Sequence, residues 1–138
     1  MRVIVMDGQG GGIGAAIIKA IRQSLGQDLE IWAVGTNSAA TSRMMKAGAN
    51  RGASGENAFV QTTKKADVMI GPISILLAHS MMGEVTPAMA EAVSSGDAVK
   101  ILLPLTRENI QLVGVSNEPL PHLVQQVIDR LTQWMHPA

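Results

Sequence analysis

The residues best suited to chemistry form one run, Asp7-Gly8-Gln9-Gly10-Gly11-Gly12-Ile13-Gly14, near the start of a 138-residue chain. Glycine has no Cβ, so its backbone can approach a phosphate closely and take up φ > 0. Such a loop, opening onto a helix, turns free N–H groups and the positive end of the helix dipole toward an anion. Two registers fit. Gly10, Gly12 and Ala15 match G-x-G-x-x-[GA], a dinucleotide-binding spacing, while Gly8, Gly12 and Gly14 match G-x-x-x-G-I-G. The competing reading is a tight turn that packs a helix closely on a sheet and binds nothing. No Gly-Lys-[ST] ending follows the run, which disfavours a Walker-type P-loop.

Four side chains could act on a bound molecule. Asp7 stands at the end of an apolar run, just before the glycines. A carboxylate there repels a phosphate unless a cation lies between, or unless it meets a ribose or base; the alternative is an Asp-Gly turn whose carboxylate accepts nearby N–H groups. His79 lies among Ile75, Leu76, Leu77 and Met81. It could serve as a general acid or base, or be a packed, hydrogen-bonded residue. Glu84, in Gly-Glu-Val-Thr-Pro, and Glu56, in Gly-Glu-Asn, could be bases or magnesium ligands, or could cap helices. His122 and His136 fall in or near the last helix and read as surface residues. Three scattered histidines and no cysteine give a zinc site little support, so no metal is expected.

Composition narrows the function classes. Lys plus Arg is 11 and Asp plus Glu is 11, so the formal net charge is zero. Nothing in that balance attracts nucleic acid or an anionic membrane over distance. The aromatics are Trp32, Phe59 and Trp134, which do not make a base-stacking platform. The lack of cysteine excludes disulfides and thiolate catalysis and suits a reducing compartment. Met1 leads straight into a strand pattern, with no signal peptide or membrane-spanning run, so the expectation is a cytoplasmic protein. Nine methionines serve as core filler, and some could line an adaptable contact surface.

The elements that must position these residues can be read in order. Arg2 to Met6 is apolar nearly throughout, as a central parallel strand should be. Ile13, Ala16, Ile17, Ala20, Ile21 and Leu25 then recur at helical spacing, up to Gly26. Leu29 to Val34 reads as a second strand, ending in Gly35-Thr36-Asn37-Ser38. Sites that hold a ribose 2′-hydroxyl usually carry Asp or Glu at this point, and this chain has none. The neutral Thr36 and Asn37 leave three readings: a 2′-phosphate with Arg43 or Arg51 nearby, another nucleotide or anion, or simple capping of the next helix.

That helix is expected over Ala39 to Ala47. An irregular glycine-rich stretch follows, with an edge strand possible near Ala49, and then a helix over Glu56 to Lys65 with Ser54 as N-cap. Ala66 to Ile70 reads as a strand closed by Gly71-Pro72, and Ser74 to Met82 as a helix. Thr86 caps a further helix with Pro87 at its first position, running to Ser95. Ala98 to Leu103 and Ile110 to Val115 read as strands. The short link Pro104 to Asn109 is too brief for a parallel crossover, so an antiparallel pair is expected at one sheet edge. Pro119 to Met135 is the last helix. The whole reads as one domain over residues 1–138, α/β in class: a doubly wound, mostly parallel sheet with an antiparallel edge pair near the C-terminus. In such sheets ligands bind beyond the carboxyl ends of the strands, which places Gly71 and Pro72 beside the glycine loop.

Several motifs recur together: Asp7 to Gly14, Gly35-Thr36-Asn37, Lys46-Ala-Gly-Ala-Asn50, Gly55-Glu-Asn-Ala58, Ile70-Gly-Pro-Ile73, Gly83-Glu-Val-Thr-Pro87 and Gly114-Val115. In this combination the chain resembles a family of small bacterial proteins of unknown function, mostly from anaerobic Firmicutes. The resemblance covers nearly the whole chain. It implies a Rossmann-like fold and a bacterial cytoplasmic protein, and it implies no activity. The first βαβ unit alone also resembles that of short-chain dehydrogenases, through the Gly8, Gly12 and Gly14 register of their cofactor loop. Tyrosine is absent, however, so their Tyr-Lys proton relay cannot operate here.

The expected ligand is therefore NAD(P) or another nucleotide. It would be held by Gly8, Gln9, Gly10, Gly11, Gly12, Ile13, Gly14, Gly35, Thr36, Asn37, Gly71 and Pro72, in a binding or sensing protein that forms homo-oligomers. Two alternatives stand beside this. One is a nicotinamide-dependent reductase or nucleotide-processing enzyme with a site between subunits, using His79, Glu84 or Asp7. The other is a scaffold whose glycine loop is purely structural.

Overall fold

A computed structural model describes residues 1–106 and 108–137. Arg107, in the link expected between two edge strands, and Ala138, at the end of the expected single domain, lie outside the described residues. Five strands form one sheet: β1 (Arg2–Asp7), β2 (Glu30–Gly35), β3 (Arg51–Ser54), β4 (Val68–Pro72) and β5 (Val99–Leu103). Their order is β3-β2-β1-β4-β5 and every pairing is parallel. The helices are α1 (Gly12–Leu25), α2 (Ser38–Lys46), α3 (Glu56–Thr62), α4 (Pro87–Ser95) and α5 (Leu120–Met135).

β1, β2 and β4 are apolar on both faces because helices cover both faces. Val3 and Val5 of β1, Ile31 and Ala33 of β2, and Val68 and Ile70 of β4 point to one side. There they meet Ile17, Ile18 and Ile21 of α1 and Leu123, Val127, Ile128 and Leu131 of α5. Their neighbours Ile4, Met6, Val34 and Met69 point the other way, onto Phe59 of α3 and Met89, Ala90 and Val93 of α4. Each fully buried Ile or Val side chain contributes about 1.5–3 kcal/mol over its exposed state. Truncating Ile21 to Ala, with no exposed surface to soften the loss, would cost about 2–5 kcal/mol.

Strand order reverses between β1 and β4. β1 leads outward through β2 to β3, while β4 and β5 extend the other side. The crevice at such a reversal, beyond the strand carboxyl ends, is where open α/β sheets hold ligands. On the β2 side of β1, Asp7 lies opposite Gly35, so the glycine loop and the end of β2 emerge side by side.

Several expectations are corrected. The antiparallel edge pair does not form: β5 lies parallel to β4, with α4 as the crossover. Ile110 to Val115 is not a strand. Val113 and Gly114 form a turn, Gly114 with φ +83°, which breaks any extended run. The stretch expected as a helix over Ser74 to Met82 holds a single 3₁₀ turn, Ile73–Leu76, followed by turns. His79, Met81 and Met82 all have positive φ, which no right-handed helix accommodates. The strand possible near Ala49 does exist, as β3. Helix α3 is preceded by Gly55, not capped by Ser54, whose hydroxyl instead meets Thr41 Oγ1 at 2.7 Å.

Candidate functional site

β1 delivers the chain to α1 through Gly8, Gln9, Gly10 and Gly11. Gly11 is the N-cap of α1 at φ +73°, and its N–H closes the turn on the Gly8 carbonyl at 2.9 Å. Gln9 also sits at positive φ, +51°. The glycines of the run differ in what surrounds them. A Cβ on Gly11 would lie 2.7 Å from the Ala40 carbonyl oxygen, and one on Gly14 would lie 2.4 Å from Met44 Sδ. These two let α1 pack against α2. A Cβ on Gly10 would have only Arg43 Nη1 near it, at 3.9 Å, and one on Gly12 would meet the same guanidinium at 3.3 Å. Gly10 and Gly12 thus face a cation, not the protein interior. Among the described residues, their N–H groups have no partner.

Asp7 takes the Asp-Gly turn role. Its Oδ1 accepts the Gly8 N–H at 2.8 Å and its Oδ2 the Gly14 N–H at 2.7 Å. The carboxyl is 3 % exposed. Burial pushes its pKa up, against the opposing pull of the Gly14, Gly8 and Ile13 N–H groups and of Arg43. Asp7 therefore occupies first-turn donors of α1 that the sequence left free for a ligand. The cradle that remains is smaller: two amides, at Gly10 and Gly12, and the exposed Arg43 guanidinium on α2.

Residues 77–85 form a strap over the crevice. It is anchored by Ser80, whose buried hydroxyl donates to the Ser74 carbonyl at 2.6 Å, and by the buried Val85. His79 N–H donates to the Val85 carbonyl and closes the loop on itself. Met81 lies over Gly8, where a Cβ would fall 2.4 Å from its Sδ. The strap carries Glu84 to the end of β2. Glu84 Oε1 accepts the Gln9 N–H at 2.8 Å, the Thr36 hydroxyl at 2.6 Å and the Asn37 amide at 2.9 Å. Partial burial, the largest single influence, raises the Glu84 pKa, yet the donors Thr36, Gln9 and Asn37 together outweigh it and leave the carboxyl below its usual range. Asn37 does two jobs at once: its Oδ1 caps α2 on the Ala40 N–H at 2.8 Å, and its Nδ2 also donates to the Gln9 carbonyl at 3.0 Å.

The structure thus brings together Asp7, Gly8, Gln9, Gly10, Gly11, Gly12, Ile13 and Gly14 with Thr36, Asn37 and Glu84. It gives other expected residues different work. Gly35 lies where a Cβ would strike Thr41 Oγ1 at 2.5 Å and the Asn37 carbonyl at 2.8 Å, so it packs β2 on α2. Gly71 would strike the Met6 carbonyl, at 2.3 Å, and both Gly71 and Pro72 are buried. They pack β4 on β1 and β5. His79 stands on the strap, exposed, and its ring has no hydrogen bond among the described residues. Arg51, weighed as a 2′-phosphate partner, pairs opposite Trp32, with its guanidinium 5.9 Å from that ring. That is three residues, or about 10 Å, short of the end of β2.

Sequence reading missed the Glu84–Thr36 link, which spans 48 residues, and gave no role to Arg22. Arg22 is almost buried; its Nε donates to the Gly48 carbonyl at 2.9 Å, its Nη1 to the Leu29 carbonyl at 2.7 Å and its Nη2 to Asn50 Oδ1 at 2.9 Å. The signal was present: Ile18, Ile21, Arg22 and Leu25 share the buried stripe of α1, where a lone cation must find carbonyls.

Among the described residues, the clefts that lie away from the loop include two larger ones. One, between α3 and α4, is lined by residues including Val60, Lys64, Glu91 and Ser95; the other, between β5 and α5, by Ile101, Leu103, Leu123, Arg130 and Trp134 among others. Neither touches the chemistry at the strand ends. At the glycine loop itself, Met81 Sδ and Glu84 Oε1 lie against Gly8. Among the described residues no group of three or more His, Cys, Asp or Glu could hold a metal ion, and no helix is long and apolar enough to cross a membrane.

No curated protein matches the chain in sequence. A solved structure, the dodecameric FMN-dependent UbiX-like decarboxylase from Escherichia coli O157:H7, is 16 % identical over 96 % of this chain and 94 % of that one, with a TM-score of 0.46. At that likeness it carries no argument about ligand or assembly. A family model does match, over residues 2–136. The chain therefore belongs to the family described as Domain of unknown function (DUF3842).

Proposed function

We propose that this protein binds a nucleotide or dinucleotide at the head of α1, in a binding or sensing role. The observation that supports this is the outward face of the loop. Among the described residues the N–H groups of Gly10 and Gly12 have no partner, and the Arg43 guanidinium is 3.3 Å from where a Gly12 Cβ would stand. Backbone amides at a helix N-terminus with a guanidinium beside them are the chemistry of phosphate recognition. The strap over the same crevice is the element whose position a bound nucleotide would alter. The exposed His79 ring offers no oriented acid or base, so catalysis has no comparable support.

A titration calorimetry panel of nucleoside mono-, di- and triphosphates, NAD and NADP tests the reading. Saturable binding to the wild type that falls about tenfold or more in Arg43→Ala is expected, since a charge-assisted hydrogen bond contributes about 1.5–3 kcal/mol. Absence of binding by every member of the panel would leave the scaffold reading. Association of copies is proposed on separate grounds. Ile110, Leu112, Val113 and Val115 are exposed, Val113 fully so, and β5 is an edge strand. Sedimentation equilibrium should show an oligomer that Val113→Asp weakens; a monomer at all concentrations would refute it.

A further inference from the structure

We infer that Glu84 is the ribose acceptor of this site, and that it makes the protein selective for nucleotides with a free 2′-hydroxyl and averse to a 2′-phosphate. The inference rests on the nucleotide-binding reading above and names the ligand class more closely. In parallel nucleotide-binding sheets an acidic residue at the end of the second strand accepts hydrogen bonds from the ribose. Here β2 ends in Gly35-Thr36-Asn37, without a carboxylate. The structure fills that position from elsewhere in the chain. Glu84 reaches the end of β2 and gives one oxygen, Oε1, to Thr36, Asn37 and the Gln9 N–H.

The geometry leaves the other oxygen available. Three donors from two loops fix Oε1 at 2.6–2.9 Å, so the carboxylate cannot rotate freely. Oε2 has no partner among the described residues, and the side chain is only partly buried. An ionised carboxylate oxygen accepts and does not donate, so its natural partner is a hydroxyl. The carboxylate lies on the Gly8 side of the loop, 3.2 Å from where a Gly8 Cβ would be. Arg43 lies on the Gly10 and Gly12 side. The cation is thus placed for the 5′-phosphates and the carboxylate for the sugar. A 2′-phosphate would bring a second anion against Glu84, with Arg51 about 10 Å away along the sheet.

The test is calorimetric binding of the four ribonucleoside 5′-monophosphates, their 2′-deoxy forms and adenosine 2′,5′-bisphosphate, to the wild type and to Glu84→Gln. The wild type should bind its preferred ribonucleotide about ten- to a hundredfold more tightly than the 2′-deoxy form, the worth of a hydrogen bond to a charged group. It should bind adenosine 2′,5′-bisphosphate at least as poorly as the deoxy form. In Glu84→Gln the ribose preference should shrink and the aversion to the 2′-phosphate should relax. Equal binding of ribo and deoxy forms by the wild type would overturn the inference, and that comparison needs no variant to fold. Tighter binding of every nucleotide by Glu84→Gln would also overturn it, because the carboxylate would then be a plug. Both of those outcomes leave nucleotide binding intact. No binding of any compound to the wild type would overturn the binding reading and this inference with it.

Discussion

The glycine run should divide sharply under alanine substitution, because its members face different things. Gly11 has φ +73°, and an added Cβ would lie 2.7 Å from the Ala40 carbonyl oxygen and 2.8 Å from Ala40 Cα. Both atoms belong to the backbone of α2, so no rotamer change relieves the overlap. An L-residue in the left-handed region costs about 1–2 kcal/mol, and overpacking against a rigid neighbour about 1–3 kcal/mol. Together these place Gly11→Ala roughly 3 kcal/mol below wild type, or about 10 °C in Tm for a chain of this size. Gly10 is the control. Its φ is not positive, and its Cβ would have only the tip of Arg43 near it, at 3.9 Å. Gly10→Ala should stay within about 0.5 kcal/mol of wild type, as surface changes do. Urea unfolding followed by circular dichroism measures both. Equal stability of the two variants, or a Gly11→Ala protein as stable as wild type, would refute the assignment of Gly11 to helix packing and Gly10 to the open face.

Further outcomes follow from other groups. Arg22→Ala leaves the Gly48 and Leu29 carbonyls and Asn50 Oδ1 without their donor; since bonds to a charged group are worth about 1.5–3 kcal/mol each and do not add fully, a loss of about 3–4 kcal/mol is expected in urea unfolding, and a loss below about 1 kcal/mol would contradict the buried-cation picture. Asp7 and Glu84 should give pH dependences of opposite sign. The folded pKa of Asp7 is raised above 3.8, so the native state holds more protons than the unfolded state in the window just above 3.8. Asp7 therefore makes stability fall as pH rises through that window, and Asp7→Asn should remove this fall. The folded pKa of Glu84 is lowered below 4.5, so its contribution is present above 4.5 and is lost as pH falls through the folded value; Glu84→Gln should remove that acid loss. Differences from wild type in unfolding free energy, measured from about pH 3 to about pH 6, separate the two, and matching slopes for both variants would contradict the assignments.

Much of the fold was legible because its cues are local. β1, β2, β4 and β5 announce themselves as short apolar runs, and α5 as a 3.6-residue stripe from Leu123 to Leu131. β3 was nearly silent. Its sequence Arg-Gly-Ala-Ser is exposed throughout, and it is a strand because β2 offers a free edge and because Thr41 Oγ1 donates to the Ala53 carbonyl beside it. Ile110 to Val115 gave the reverse error: β-branched residues suggested a strand, but a turn at Val113-Gly114 leaves them exposed and unpaired.

The candidate site was half legible. The loop and its helix followed from glycine spacing, and Asn37 from the preference of Asn for N-caps. The strap was not, since Ile75, Leu76, Leu77 and Met81 sit at helical spacing while His79, Met81 and Met82 adopt left-handed backbone. Nor does any local pattern tell that Glu84 will meet Thr36; that contact depends on tertiary packing of Ser80 and Val85.

The central claim is that the amides of Gly10 and Gly12, beside Arg43, receive the phosphates of a nucleotide. Amide-resolved NMR with ¹⁵N-labelled protein measures this most directly. On titration with the nucleotide that binds best, the Gly10 and Gly12 amide resonances should move furthest downfield and saturate together, and the Gly14 amide, already donated to Asp7, should move little. Saturable binding that leaves Gly10 and Gly12 unmoved, with shifts gathered in the cleft between α3 and α4 or between β5 and α5, would contradict the account.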